Sequence, residues 1–335
     1  MPSKEICDYL NRAGEGYLDS INGNSPESLI STQRKFSHIL KYLENPKRSI
    51  SLGVGQGEEA HALDGLYNTD VFGLDISILA LNTAKQRALR NNYEFEPFLA
   101  TVQNLPFTNN TFDLTVLSAI LHEVYSYSFD SDKSFIQTLN EASRITAKNG
   151  IIVIRDAIVR KPNEIVNLKC NTQIAQNFYN YFRTEYCKYN AMSEDFREKI
   201  SKDKFTYTDA FLEMNKNGIE LPFYKVAELL LHFRNFYNDF QKQNTAIGDI
   251  GWKEINERYF IPKPNETISM SPTDYVETII AEINDKNVIC MYANTSSREK
   301  TSEFLTKHFE LTGDVSNIDL INRATNKLEV ILKKV

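Results

Sequence analysis

Three glycines at alternate positions, Gly53, Gly55 and Gly57, lie in the run Ser51-Leu52-Gly53-Val54-Gly55-Gln56-Gly57-Glu58, between a predicted strand and a predicted helix. Glycine lacks a Cβ, so such a run turns tightly and lets the backbone approach a ligand closely. It does so at the carboxyl edge of a strand, where open α/β sheets bind their ligands. A dinucleotide fingerprint would need glycine where this chain has Glu58, and a P-loop would need a G-K-[ST] that is absent. Glu58 and Glu59 open the helix where a pyrophosphate would otherwise be held by backbone amides and the helix dipole. The loop therefore suits a nucleoside ligand without phosphate. Asp75 ends the next predicted strand, 71–75, 18 residues beyond Gly57. A carboxylate there can accept both hydroxyls of a free ribose, or cap the following helix in competition with Ser77.

Candidates for proton transfer sit beyond two later strands. His122 and Glu123 follow the run 112–118, and Asp156, preceded by Arg155, follows 151–155. Histidine titrates near neutrality, and carboxylates at strand tips can also serve as bases. The alternatives are a packed, hydrogen-bonded His122, a solvent-facing Glu123 and an Asp156 that pairs with Arg155. Tyr125 and Tyr127 extend the same segment and offer two phenols to a substrate, or to the core. Arg155 and the single tryptophan, Trp252, complete the candidate substrate contacts. The four cysteines (Cys7, Cys170, Cys187, Cys290) are far apart, and the five histidines form no H-x3-H or H-E-x-x-H pair. No metal site and no disulfide framework is expected.

These residues need elements to position them. Residues 1–46 read as N-terminal helices, with the start signal Ser25-Pro26-Glu27-Ser28 and an apolar stripe through Ile30, Phe36, Ile39, Leu40 and Leu43. From 47 to 160, short apolar runs (49–53, 71–75, 98–101, 112–118, 151–155) alternate with helix-length polar segments. That alternation argues for a parallel sheet with right-handed crossovers, a doubly wound α/β core. Residues 161–270 are rich in aromatics at helical spacings and read as a helical insertion. Their aromatics suit a lid over an apolar or planar substrate, or the insertion's own small core. Residues 271–335 return to α/β texture: Ser271-Pro272-Thr273-Asp274 starts a last helix, and 287–293 and 328–334 would be two closing strands.

The ordered set Gly53-x-Gly55-x-Gly57, Asp75, Gln103-Asn104-Leu105-Pro106-Phe107, Phe112-Asp113, Leu121-His122-Glu123-Val124 and Asn149-Gly150 resembles the class I S-adenosylmethionine-dependent methyltransferases, the subgroup with an LPF…FD turn before strand four. The resemblance covers residues 48–156 well and 271–335 more weakly. It implies a seven-stranded Rossmann-like methyltransferase sheet and S-adenosylmethionine as cofactor, S-adenosylhomocysteine being the product. Carried over by position, Gly53, Gly55 and Gly57 would pass beneath the methionine and ribose. Asp75 would hold the ribose hydroxyls, Ile76, Val102 and Gln103 would border the adenine, and Ser118 would lie near the methionine end. The chain departs from the family at two acidic positions, where it has Ser51 and Thr101. Both can hydrogen-bond, to the cofactor amino group and the adenine amino group, but without charge, so weaker cofactor affinity is expected.

Composition bounds the rest. The 335 residues are 41% hydrophobic and 24% charged, with 38 Lys+Arg against 44 Asp+Glu for a net charge of −6, an ordinary soluble globular balance. No run approaches the 18–20 apolar residues of a membrane span, and the first residues lack the apolar core of a signal peptide, so a cytoplasmic protein is expected. The acidic balance disfavours nucleic acid, which needs a surplus of Lys/Arg. The expected activity is methyl transfer to oxygen or nitrogen of a small or medium-sized acceptor enclosed by the insertion. An RNA or protein acceptor and a non-catalytic cofactor-binding scaffold are the alternatives. Oligomeric state is open.

Overall fold

The computed structural model describes residues 26–128, 130–157, 164–183, 213–241, 272–296 and 299–335. The chain divides into two compact units, the first built from 1–156, 272–294 and 328–335, the second from 157–271 and 295–327.

In the first unit, strands β1 (Arg48–Leu52), β2 (Asp70–Asp75), β3 (Phe95–Leu99), β4 (Phe112–Ser118), β5 (Thr146–Ala157), β8 (Val288–Ser296) and β10 (Lys327–Lys334) form one sheet in the order β3-β2-β1-β4-β5-β10-β8. The first five pair in parallel, with Leu52 beside Leu74 and Leu117, and Ser118 beside Arg155. This register sets the carboxyl ends of β1, β2, β4 and β5 side by side, so the loops leaving them share one edge.

Helices between the strands are α1 (Pro26–Phe36), α2 (Glu58–Tyr67), α3 (Ile78–Asn91), α4 (Leu121–Tyr127), α5 (Ser131–Ile145) and α8 (Pro272–Glu282). Their ends follow local chemistry. Ser77 accepts from Ala80 N to start α3, and Asp130 accepts from Lys133 N to start α5. Asn68 and Asn92 end α2 and α3 in the left-handed conformation that asparagine tolerates. One sheet face packs Leu114, Val116, Ile151 and Val153 against Phe36, Ile39, Ala62 and Leu63. On the other, Thr115 hydrogen-bonds Thr146 at the end of α5.

The second unit adds strands to the helices expected of the 161–270 insertion. It contains an antiparallel sheet in the order β7-β6-β9, from β6 (Ile165–Cys170), β7 (Ile219–Pro222) and β9 (Phe309–Thr312). Around it lie α6 (173–183), α7 (Phe223–Gln241), α9 (Glu299–His308) and α10 (Asn317–Thr325). The central strand β6 comes from the insertion, whereas one partner, β9, comes from the stretch between the two closing strands of the large sheet. Residues 271–335 are therefore not all core: β8 and β10 close the first sheet, and the intervening stretch belongs to the second unit. The reason is burial, since Leu305, Phe309, Leu311, Leu320 and Ile321 share one apolar cluster with Val166, Phe178, Tyr179, Leu221 and Phe233.

The insertion aromatics within the described residues serve this core rather than a surface lid. Phe178, Tyr179, Phe223, Leu229, Leu230 and Phe233 are fully buried. Phe233 meets Phe178 at 5.2 Å and Phe309 at 4.8 Å, both edge to face. The expected outcome of Phe233→Ala is a loss of about 3–5 kcal/mol from the second unit. Hydrogen exchange of the β6 amides, faster in the variant, checks it.

Candidate functional site

The glycine loop leaves β1 with Gly53 N and Val54 N both donating to Leu74 O, at 2.8 and 2.9 Å, which splices it onto β2. All three glycines have positive φ (+71°, +52° and +78°). A Cβ on Gly53 would come within 2.6 Å of the Ile120 side chain, and one on Gly57 within 2.9 Å of Ala84 Cβ. A Cβ on Gly55 would meet nothing within 4 Å. Two glycines thus admit close packing, and the middle one borders open space.

Asp75, half-buried at the tip of β2, accepts from Gly55 N through Oδ2 and from Ser77 N through Oδ1, each at 2.9 Å. Ser77 rather than Asp75 supplies the side-chain cap of α3. Ile76 and Thr101 are half-buried and Val102 is buried. Gln103 Nε2 lies 3.5 Å from Ser128 Oγ. Ser51 departs from its expected place: it is fully enclosed in β1, and its Oγ makes no hydrogen bond among the described residues. Glu58 also differs from expectation, because its carboxylate turns to the buried Arg87 of α3, 3.6 Å away, rather than guarding the helix end. Beneath the loop, the Tyr93 hydroxyl lies 3.5 Å from Gly57 O, and burial pushes this phenol up, keeping it a neutral donor.

The sharpest chemistry lies at the tips of β4 and β5. His122 Nδ1 is 2.5 Å from Asp156 Oδ1, while Asp156 Oδ2 accepts from Leu121 N at 2.7 Å and His122 N at 3.2 Å. The Asp156 side chain is 1% exposed and that of His122 12%. A carboxylate can only accept, so Nδ1 carries the proton, and in the neutral ring Nε2 holds the lone pair. The two candidate bases are thus one hydrogen-bonded pair, with Asp156 sealed from solvent and His122 the more exposed partner. Glu123 is half-buried in the first turn of α4.

Ser118, at the end of β4, is 9% exposed. The next residue, Ala119, has φ +56°, rare for a residue with a Cβ and costing roughly 1–3 kcal/mol. Its N donates to Arg155 O at 2.7 Å. This turn aims Ile120 at Gly53 and starts α4 beside Asp156. Neither Ala119 nor Ile120 carries a sequence signal, since alanine is not a turn residue and Ile120 reads only as apolar.

Arg155 is not placed for a substrate. It is 7% exposed, its Nε lies 3.5 Å from Glu329 of β10, and its guanidinium covers the Phe36 ring at 5.5 Å. It alternates with Asp156 along β5, so the two side chains take opposite faces. Glu329 also contacts His38 Nε2 at 2.8 Å. Tyr125 and Tyr127 fall in the last turns of α4, with side chains outside the described set, and Trp252 lies outside the described residues. Among the described residues, no group of three or more His, Cys, Asp or Glu side chains could hold a metal ion, and no helix is long and apolar enough to cross a membrane.

The segment carrying this geometry, residues 50–154, matches the family model described as a methyltransferase domain. The match covers about a third of the chain, within the α/β core. A relative in Methanocaldococcus jannaschii, an uncharacterised protein, is 28% identical over 138 residues, which are 40% of this chain and 52% of that protein. The chain thus spans about half the length of the curated relative it matches. Among solved structures, a Pyrococcus horikoshii protein is 21% identical, with 41% of this chain and 57% of that one covered and a TM-score of 0.36. A geranyl diphosphate methyltransferase solved with geranyl diphosphate and sinefungin is 10% identical over 91% of this chain and 77% of that one, with a TM-score of 0.43. Likenesses of this size carry no inference about the acceptor.

The α/β core holds its LPF turn by one ion pair. Glu141 accepts from Leu105 N, and Arg144 donates to Glu141, Leu105 O, Phe107 O and Asn109 Oδ1. The Arg144 guanidinium, followed by the Leu105 amide, holds the Glu141 carboxyl below its usual range against the opposing effect of burial. A carboxyl lowered by folding adds stability above its unfolded pKa and loses it as pH falls through the folded one. The expected outcome is that wild type exceeds Glu141→Gln in denaturation midpoint at neutral pH, and that the gap closes on acidification below about 4.5, the carboxyl's unperturbed value. Urea titrations at stepped pH check it.

Proposed function

We propose that the chain is an S-adenosylmethionine-dependent methyltransferase that alkylates an oxygen or nitrogen of a small or medium-sized acceptor. What most supports this reading is the coincidence, on one sheet edge of a methyltransferase domain, of an open glycine, a strand-tip carboxylate and a carboxylate-oriented imidazole. The residues suit the cofactor: Gly55 leaves room for it, and Asp75 presents a carboxylate at the tip of β2, the group type that accepts from hydroxyls. Bound S-adenosylmethionine supplies an electrophilic methyl group on a sulfonium.

Each residue then has a task. Asp75 holds the ribose hydroxyls. Ile76 and Val102 line the adenine, with Thr101 and Gln103 at its edge, and the Ser118 backbone meets the methionine portion. Most of the rate in such a displacement comes from alignment, which a rigid strand edge provides. His122 Nε2 accepts the proton that the acceptor hydroxyl or ammonium must lose. Asp156, itself sealed from water, keeps Nε2 aimed and balances the imidazolium charge.

An acceptor with a proton to lose follows from this pair, since a carboxylate or thiolate would need no base. The net negative charge favours a small molecule over RNA, and the insertion after β5 would enclose it, with Tyr125, Tyr127 and Trp252 as candidate contacts.

Calorimetric titration with S-adenosylmethionine, S-adenosylhomocysteine, NAD and ATP tests the cofactor; binding of the first two alone is expected, and binding of none would sink the reading. With an acceptor in hand, His122→Ala should lower kcat by roughly 10²–10⁴-fold while leaving cofactor affinity unchanged. Asp156→Asn should lower kcat in the same direction, because its amide can face the ring with a donor and favour the wrong tautomer. Steady-state kinetics beside the same titrations separates the two steps.

A further inference from the structure

We propose that Asp75 shapes the glycine loop before any ligand arrives, a positioning role additional to its contact with ribose; the inference rests on the cofactor reading only for its second arm. The three glycines are held unequally. Gly53 is wedged under Ile120 and Gly57 against Ala84, whereas the Cβ direction of Gly55 faces open space. No side chain packs the apex from that side, and what ties it down is the bond from Gly55 N to Asp75 Oδ2 at 2.9 Å. The other oxygen takes Ser77 N at 2.9 Å, which fixes the rotamer of the carboxylate that reaches the loop.

A carboxylate offers about four acceptor positions. Gly55 N and Ser77 N take separate oxygens, and one carboxylate oxygen can accept more than one hydrogen bond, so the loop contact and a ribose contact are not mutually exclusive. An amide cannot repeat this. Asparagine has one acceptor oxygen and a donor NH2, and two N–H groups demand acceptors on both sides. Ser77 is two residues away on the same turn, and Gly55 is twenty residues away across the strand tips. The local bond is therefore the one that survives in Asp75→Asn, and Gly55 loses its acceptor. A ribose hydroxyl can accept from the new NH2, so the substitution removes the loop bond while leaving a partner for the ribose.

Two measurements on the full chain decide the matter. First, amide hydrogen exchange without ligand compares Gly55 with Ile50 and Leu52 of β1. In Asp75→Asn, Gly55 should exchange at least about tenfold faster, the equivalent of one lost hydrogen bond to a charged acceptor. Ile50 and Leu52 should not change, which excludes general unfolding. Second, wild type and variant are titrated with S-adenosylhomocysteine and with its analogue lacking both ribose hydroxyls. If Asp75 organises the loop, the variant weakens for both ligands, by about tenfold for the analogue. Unchanged Gly55 exchange, with a loss confined to the hydroxyl-bearing ligand, would overturn the proposal and leave Asp75 a ribose contact only. If wild type bound neither ligand while Gly55 exchange still rose in the variant, the cofactor reading would fail and the loop assignment would stand.

Discussion

A carboxylate sealed from water must find all its hydrogen bonds within the protein, and Asp156 is the point where that constraint gathers the chain. Its donors include the backbone of Leu121, the backbone of His122 and the His122 ring. Those groups lie at the start of α4, yet the acid belongs to β5, so the bonds fix how one crossover begins relative to the neighbouring strand. An uncompensated charge at this depth would cost several kcal/mol, so the segment from Ser118 to His122 has little freedom to move away. The left-handed Ala119, tied to Arg155 O, is tolerated for that reason.

The parallel register does the same for the other half of the site. Because Leu52, Leu74 and Leu117 stand abreast, the glycine loop, Asp75 and the β4 turn emerge at one edge. Ile120, aimed by the strained turn, fills the space that a side chain on Gly53 would need. The glycine requirement at position 53 thus comes from the next-door crossover as much as from any ligand. Only at Gly55 does the structure leave the requirement to the outside.

The sequence made legible what rests on local chemistry. Glycine spacing, the acidic tip of β2 and the serine ahead of α3 each act within a few residues, and the strands at 71–75 and 112–118 read clearly because their apolar runs end in polar turns. Strand β3 fell at Phe95–Leu99 rather than 98–101, since Pro97 and the two glutamates hide an edge strand that pairs on one side only. The second unit was illegible for a longer-range reason. Strand β6 alternates apolar and polar residues but is only six long, and its partners come from 219–222 and 309–312. Nothing local to Phe309 says that it closes a core begun at Val166. Likewise no pattern distinguishes an Arg155 facing Glu329 from one facing a substrate, because that choice is set by which residue of β10 lies beside it.

The proposed methyl transfer would bear on the uncharged Ser51 and Thr101 as well. If His122 takes up the acceptor's proton, the negative charge that matters most is the one nearest that proton. Asp156 supplies it at 2.5 Å from the ring, in a buried setting where Coulomb attraction is weakly screened. An acid at Ser51 would sit inside a fully enclosed strand, where desolvation of its charge would weigh against the fold. A neutral hydroxyl at that place is the cheaper occupant. The acids of the site are thereby concentrated where backbone donors already exist to receive them, at Asp75 against Gly55 and Ser77, and at Asp156 against the first turn of α4.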